Sequence, residues 1–293
     1  MNFREFFDQE GSIYMGSKRE IKNCSIGIFG VNYDGTTSFR SGTRFGPSAI
    51  RNVSQSLETF CPILEKDLSN IGYVDFGSLI IDLDNTESVI NRVSLATKLL
   101  IKNNLKPLIL GGEHSITTGV IETLVKKYPD LVIIQLDAHA DLRDSYMNNK
   151  NSHACTMQRC IEKLPNKEIF QIGIRSGTQE EFRKMRENNQ LIDLKKGDKN
   201  LLLSRLEKIK GLPIYLTIDV DWFDPSLLSG TGTPEPGGFF WDDFEMIIKT
   251  LNEFNLIGAD IVELAPEIDL SGVSSIVAAK VARSLIMTLY KNK

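Results

Sequence analysis

Residues 131–141 read Leu131-Val132-Ile133-Ile134-Gln135-Leu136-Asp137-Ala138-His139-Ala140-Asp141. The first six residues are apolar almost throughout instead of alternating, the pattern of a strand buried on both faces. The last five carry carboxylate and imidazole at every second position. The same plan recurs along the chain. Strands are expected at Ser25–Val31, Pro107–Leu110, Leu131–Leu136, Ile169–Ile174, Ile214–Ile218 and Gly258–Val262, with a weaker one near Ile71–Val74. Helical spacing of apolar residues marks Thr86–Asn103 and Trp241–Phe254 between them. Asp242 and Asp243 fall in the first turn of the latter, at the positive end of its dipole. Pro47 suits the first turn of a helix over Ser48–Phe60, and Ser274 suits the cap of a last helix reaching about Tyr290. Such alternation predicts an α/β protein, a parallel sheet of about seven or eight strands between layers of helices. No linker divides the pattern, so residues 1–293 are expected to form one domain, the first 20 or so residues being a short extension.

Composition narrows the function. The 293 residues hold 34 Lys+Arg and 38 Asp+Glu, a net charge of −4. That balance, without any run of basic residues, argues against a general nucleic-acid binder. No apolar stretch is long enough to span a bilayer, and the N-terminus has no leader pattern. Cys24, Cys61, Cys155 and Cys160 form no CxxC pair and are too few for a disulfide framework. Reduced thiols in the cytoplasm are the expectation.

In parallel sheets ligands collect beyond the carboxyl ends of the strands. Four expected strand ends deliver polar residues there: Gly111-Gly112-Glu113-His114, Asp137 to Asp141, Asp219-Val220-Asp221, and Glu263. A single Asp after a strand is ordinarily a turn residue. Residues two apart in an extended segment point the same way, so Asp137, His139 and Asp141 are expected to converge, as are Asp219 and Asp221. Carboxylates gathered at neighbouring strand ends repel unless a cation lies between them. The donor set is His114, Asp137, His139, Asp141, Asp219 and Asp221: four carboxylates, two imidazoles and no thiolate. Four negative charges exceed what one divalent ion neutralises and match two. Two ions roughly 3.5–4 Å apart are able to activate one shared water. Oxygen-rich donors with some imidazole suit manganese, with zinc, nickel and iron as alternatives. With a shared hydroxide and Glu263 the centre would be anionic, and so would favour a cationic substrate. His153, the remaining histidine, sits ahead of an expected helix. It is either a surface loop residue or a proton shuttle at the mouth of the site. Cys155 reads as a core cysteine. The glycine-rich stretches Gly35–Pro47 and Gly230–Gly238 match no phosphate loop and are expected to shape the pocket rim.

Gly111-Gly112-Glu113-His114-Ser115, Asp137-Ala138-His139-Ala140-Asp141 and the Thr217–Pro225 pattern Thr-x-Asp-x-Asp-x-x-Asp-Pro resemble the three signatures of the ureohydrolase family. That family includes arginase, agmatinase and formimidoylglutamase. The resemblance runs in the family's order from Gly30 to Asp269. It implies a three-layer α/β/α fold, a central parallel sheet of about eight strands and a dimanganese centre. It assigns His114 and Asp141 to one ion and His139 and Asp221 to the other, with Asp137 and Asp219 bridging. Asp141 would also orient the bridging hydroxide, His153 would shuttle protons, and Glu263 would hold the guanidinium. Gly35–Pro47, Asp141-Leu142-Arg143-Asp144 and Ser152-His153-Ala154 look most like agmatinase segments. Leu142–Asn151 lacks the Ser/Asn-rich pattern with which arginases grip the substrate's α-carboxylate. Ser41 and Ser229 depart from the family, which often has Pro at both places. The expected reaction is hydrolysis of agmatine to putrescine and urea. The alternative is a sister activity on guanidinobutyrate, guanidine or arginine or, further off, on formimidoylglutamate. A zinc amidohydrolase of the deacetylase type is a rival on a similar fold, but it would need one ligand set rather than two. A non-catalytic paralogue would be expected to have lost a ligand. The resemblance also implies a homo-oligomer, a trimer or hexamer.

Overall fold

The apolar runs fold as strands, with their ends displaced by a residue or two. The computed structural model describes residues 3–8, 11–82, 85–194 and 199–291. In chain order the strands are β1 (Phe7–Asp8), β2 (Ile26–Gly30), the small hairpin β3 (Phe60–Cys61) and β4 (Lys66–Asp67), β5 (Tyr73–Leu79) and β6 (Lys106–Leu110). They continue with β7 (Val132–Leu136), β8 (Ile169–Ile172), β9 (Leu191–Ile192), β10 (Ile214–Asp219) and β11 (Leu256–Val262). The helices are α1 (Gly46–Ser54), α2 (Thr86–Lys102), α3 (Thr117–Lys127), α4 (Thr156–Lys163), α5 (Gln179–Glu187), α6 (Lys199–Glu207), α7 (Trp241–Leu251) and α8 (Val273–Leu289).

Nine strands form one sheet in the order β1-β5-β2-β6-β11-β10-β7-β8-β9. Only the edge pair β1–β5 is antiparallel. Alternate residues along the strands feed two cores. Ile28, Leu108, Ile134, Leu216 and Ile261 pack with Ile50 of α1, Phe244 of α7 and Val281 of α8. Phe29, Ile109, Ile133 and Tyr215 face the other way, toward Val93 of α2, Val120 of α3 and Met157 of α4. Helices therefore cover both faces, giving three α/β/α layers. Among the described residues no helix is long and apolar enough to cross a membrane.

Several departures from the sequence reading have local causes. The weak strand becomes β5, which carries a buried acid that hides its strand character. Asp75 is neutralised there by a two-pronged pair with Arg51 at 2.8 and 2.9 Å. The expected helix Ser48–Phe60 stops at Ser54. The Glu58 and Phe60 carbonyls instead accept from Arg283 of α8. Ser274 does not cap α8; Gly272, at φ 76°, does. Near the N-terminus Phe7 pairs with Leu79 and Tyr14 is fully buried. The four cysteines are free thiols.

Candidate active site

The central four strands β6-β11-β10-β7 are the ones whose ends carry the polar residues. Parallel register sets Leu136 beside Ile218, so Asp137 and Asp219 follow at the same height. Val262 lies beside Asp219 and places Glu263 one step beyond. The turn after β6 approaches its neighbours closely. A Cβ on Gly112 would stand 1.8 Å from the Tyr33 carbonyl oxygen, so this turn admits only glycine. It lets Glu263 N–H donate to the Gly112 carbonyl at 2.9 Å.

His114 is wholly buried. Its Nε2 meets Thr217 Oγ1 at 2.9 Å. That hydroxyl spends its proton on Asp260 at 2.6 Å, so the histidine nitrogen is the donor of the pair. Its Nδ1 faces Asp141 Oδ2 at 3.0 Å, Asp137 Oδ2 at 3.2 Å and Asp219 Oδ2 at 3.7 Å. Nevertheless Nδ1 makes no aligned hydrogen bond. His139 Nδ1 lies 2.9 Å from Asp221 Oδ2 and 3.8 Å from Asp137 Oδ1. Two triads result, His114–Asp137–Asp219 and Asp137–His139–Asp221, each with donor atoms within 4.8 Å of one another. Asp137 belongs to both.

The local backbone explains how side chains from one segment serve two triads. His139 N–H closes back on Asp137 Oδ1 at 2.6 Å, and Asp141 adopts φ 52°. The chain has left the extended form, so two-residue periodicity no longer sets direction. Asp141 joins Asp137 beside His114 while His139 turns to Asp221. Glu263 also has positive φ, 66°, a strained conformation for a long side chain.

The charges are held far from their ordinary states. Burial, then Asp221 and Asp141, raise the Asp137 pKa to about 7. Burial, Asp221 and Asp137 lift Asp219 well above the carboxylate range. Burial opposes a charged His139, but Asp221 outweighs it and raises the pKa to about 10. Burial likewise opposes ionisation of Asp221, yet His139 holds it down at about 2. Burial penalises a charged His114 too, and the Asp137 and Asp141 carboxylates override it. Buried acids with raised pKa values and a bare imidazole nitrogen aimed at three carboxylate oxygens fit a cation-binding centre. The oxygen-rich, thiol-free donor set accords with hard or borderline divalent ions.

His139, Asp141 and Asp219 open onto a cavity of about 270 Å³, whose walls include Ser38, Tyr146 and His153. His153 is 9% exposed. Its Nδ1 is 3.7 Å from Glu263 Oε1 and its Nε2 is 3.2 Å from Ser38 Oγ. Burial lowers its pKa below the ordinary imidazole value, which favours the neutral ring. Glu263 lies one layer deeper, where Oε1 accepts the His114 N–H at 2.7 Å. Burial and Glu113 raise its pKa. Cys155 is buried beside His153, and burial pushes its thiol up to about 11, which suits a core residue better than a nucleophile.

Both glycine-rich stretches reach the rim, through Ser38 and Thr233. Arg40 joins them, donating to the Thr231 and Gly232 carbonyls at 2.7 and 3.2 Å. After Ser41 and Ser229 hydrogen bonds hold the loops: Gly42 N–H donates to Asp34 and Gly230 N–H to Ser274 Oγ, both at 2.9 Å. Glu113 and Thr217 stand inside the quoted signatures and Thr36 inside Gly35–Pro47, but sequence reading gave none of the three a role; in the structure they support these groups by hydrogen bonds.

The arginase family matches residues 24–288 of the chain. An agmatinase of Bacillus anthracis is 35% identical over 290 residues, covering 98% of this chain and 99% of its own. An N(1)-aminopropylagmatine ureohydrolase of Thermococcus kodakarensis is 37% identical over 257 residues, 86% of each. The crystal structure of the agmatine ureohydrolase of Thermoplasma volcanium superposes with a TM-score of 0.84 at 30% identity, covering 98% of this chain and 96% of that one. Matched in sequence and in fold over nearly its whole length, the chain belongs to the arginase family.

Proposed function

We propose that the protein hydrolyses agmatine to putrescine and urea at a binuclear manganese centre. The observation that carries the reading is the pair of triads sharing Asp137 at the base of a cavity walled by His153. His114 and Asp141 would hold one ion, His139 and Asp221 the other, with Asp137 and Asp219 between them. When bound, two such cations supply an activated water at neutral pH and stabilise charge developing on the substrate.

The chain's own groups do the rest. The carboxylate-rich floor draws a guanidinium into the cavity and disfavours an anion. Glu263 keeps Oε2 for the planar cation, Oε1 being committed to the His114 amide. Asp141 orients the attacking water toward the guanidinium carbon. His153, resting in the neutral form beside the cavity, takes up a proton from solvent and passes it to the departing amine as the carbon–nitrogen bond breaks, returning to the neutral imidazole. The rim loops joined by Arg40 limit the entry of bulk water.

A second reading keeps the chemistry and lengthens the substrate, favoured by the 37% identity to an enzyme named for aminopropylagmatine. We also read the protein as a cytoplasmic homo-oligomer, which light scattering on the purified chain would test. The deciding experiment loads the protein with Mn2+, counts bound metal and assays urea from a panel of guanidino compounds. Agmatine is expected to give the highest kcat/KM, with two ions per chain. Urea from another member alone would replace the substrate, and no urea from any member with both sites filled would end the reading.

A further inference from the structure

Glu113 is a buried carboxylate that no step above uses. Burying an ionised carboxylate is costly unless hydrogen bonds replace its hydration. Three short ones offset part of that cost, though burial still raises the Glu113 pKa. Thr36 N–H donates to Oε2 at 2.6 Å, Thr36 Oγ–H to Oε1 at 2.6 Å, and Ser115 Oγ–H to Oε1 at 2.5 Å. The Thr36 hydroxyl has one proton, and Glu113 takes it. Its oxygen is thereby left to accept, and it accepts the His153 N–H at 2.9 Å.

The same loop touches the His153 ring as well, for Ser38 Oγ stands 3.2 Å from Nε2. On the other side of the ring, Glu263 Oε1 accepts the N–H of His114, the residue after Glu113. Backbone and imidazole of His153 are both referenced to the Glu113–His114 step. This anchoring comes from outside the loop of His153; within its own segment the His153 carbonyl accepts from Thr156 Oγ–H at 2.8 Å as α4 begins.

We propose that Glu113 is a positioning residue which, through Thr36, fixes the height of His153 in the cavity wall without touching substrate or metal. The proposal rests on the reading of His153 as the proton carrier. Proton transfer to a leaving amine is sensitive to distance, and displacement of the donor by about 1 Å costs on the order of tenfold to a hundredfold in rate.

The test compares wild type with Glu113→Gln, Thr36→Val and Thr36→Ser. With its three histidines, the protein labelled with 15N-histidine and kept metal-free gives a direct view of the His153 ring. In Glu113→Gln, kcat for agmatine is expected to fall about tenfold or more while KM changes by less than about threefold. Both Mn2+ ions still bind with wild-type affinity by calorimetry. The His153 ring signals shift or broaden while those of His114 and His139 keep their positions. Thr36→Val repeats the loss and Thr36→Ser, which keeps the hydroxyl, restores it. Wild-type kcat in Glu113→Gln, a parallel loss of Mn2+ affinity, or Thr36→Ser as impaired as Thr36→Val would each overturn the proposal. If Glu113→Gln does not fold, the Thr36 pair decides alone. If wild type itself releases no urea, the functional reading falls separately, and an unmoved His153 signal in the variants would then overturn the positioning role.

Discussion

Asp137 shows how one side chain couples the triads. It faces both imidazoles, at 3.2 and 3.8 Å, and its burial beside Asp221 and Asp141 raises its pKa to about 7. In the metal-free protein its charge is a liability; under the proposed reading it would be the donor shared by two cations. Asp137→Asn is therefore expected to lower kcat/KM by about a thousandfold or more, with loss of Mn2+ stoichiometry. The melting temperature of the metal-free variant should match or exceed that of metal-free wild type at pH 8. A variant that binds two ions and retains activity would remove Asp137 from the centre. His153→Asn belongs at the same scale. It should lower kcat by about a hundredfold to ten-thousandfold with metal content unchanged. Full activity in this variant, measured as urea release, would assign the proton to another group.

At the level of elements, the Gly230 loop is tied to the start of α8 by one carboxylate. Asp269 accepts from Ser271 N–H and Oγ–H at 3.0 and 2.5 Å and from Ser274 N–H and Oγ–H at 2.8 and 2.6 Å. Ser274 Oγ then accepts the Gly230 N–H. Slight burial opposes ionisation of Asp269, but these donors outweigh it and hold the pKa down at about 2. Asp269→Ala should cost about 1–2 kcal/mol of stability and loosen the cavity rim, seen as a higher KM in urea assays. The wild-type advantage over the variant is complete above pH about 4 and fades as pH falls toward about 2, because the folded pKa lies below the ordinary carboxylate value. An advantage that persists at pH 2 would contradict the assignment. This bond set also marks what sequence reading reached and where it stopped. The four central strands were legible because largely apolar runs end abruptly in Asp137, Asp219 or Glu263, or in the Gly111-Gly112 turn ahead of Glu113 and His114. β1 and β9, of two residues each, are too short to show any period. Ser274 satisfied the composition rule for a cap, but its hydroxyl serves Asp269 and Gly230, contacts that only the assembled loops create. Thr36 and Glu113 lie 77 residues apart and meet for the same reason.

Across the whole molecule, the candidate centre concentrates buried charge at the carboxyl ends of the central strands, so metal binding and folding should be coupled. Asp137 rises from the ordinary 3.8 to about 7 and His139 from 6.5 to about 10. In both cases the folded, metal-free protein binds protons that the unfolded chain has released. Stability of that form must then fall as pH rises through this range. The depressed pKa of Asp221, about 2, acts only in acid, below the ordinary carboxylate value. Cations displace the extra protons, so they remove the penalty and bind better as pH rises. At about a hundredfold excess over its dissociation constant each ion adds about 2.7 kcal/mol. For a domain of this size, two such sites correspond to a Tm increase on the order of 10 °C. Thermal unfolding at pH 5.5, 7.0 and 8.5, in EDTA and in saturating Mn2+, checks the sign directly. The EDTA curve should move down in temperature with rising pH and the gap to the Mn2+ curve should widen. A gap that stays constant or narrows would mean that the buried carboxylates and imidazoles are not what the cations neutralise. Asp137→Asn, which removes the shared carboxylate, should flatten the pH dependence in EDTA as well as abolish much of the Mn2+ gap, two effects that a purely structural role for Asp137 would not produce together.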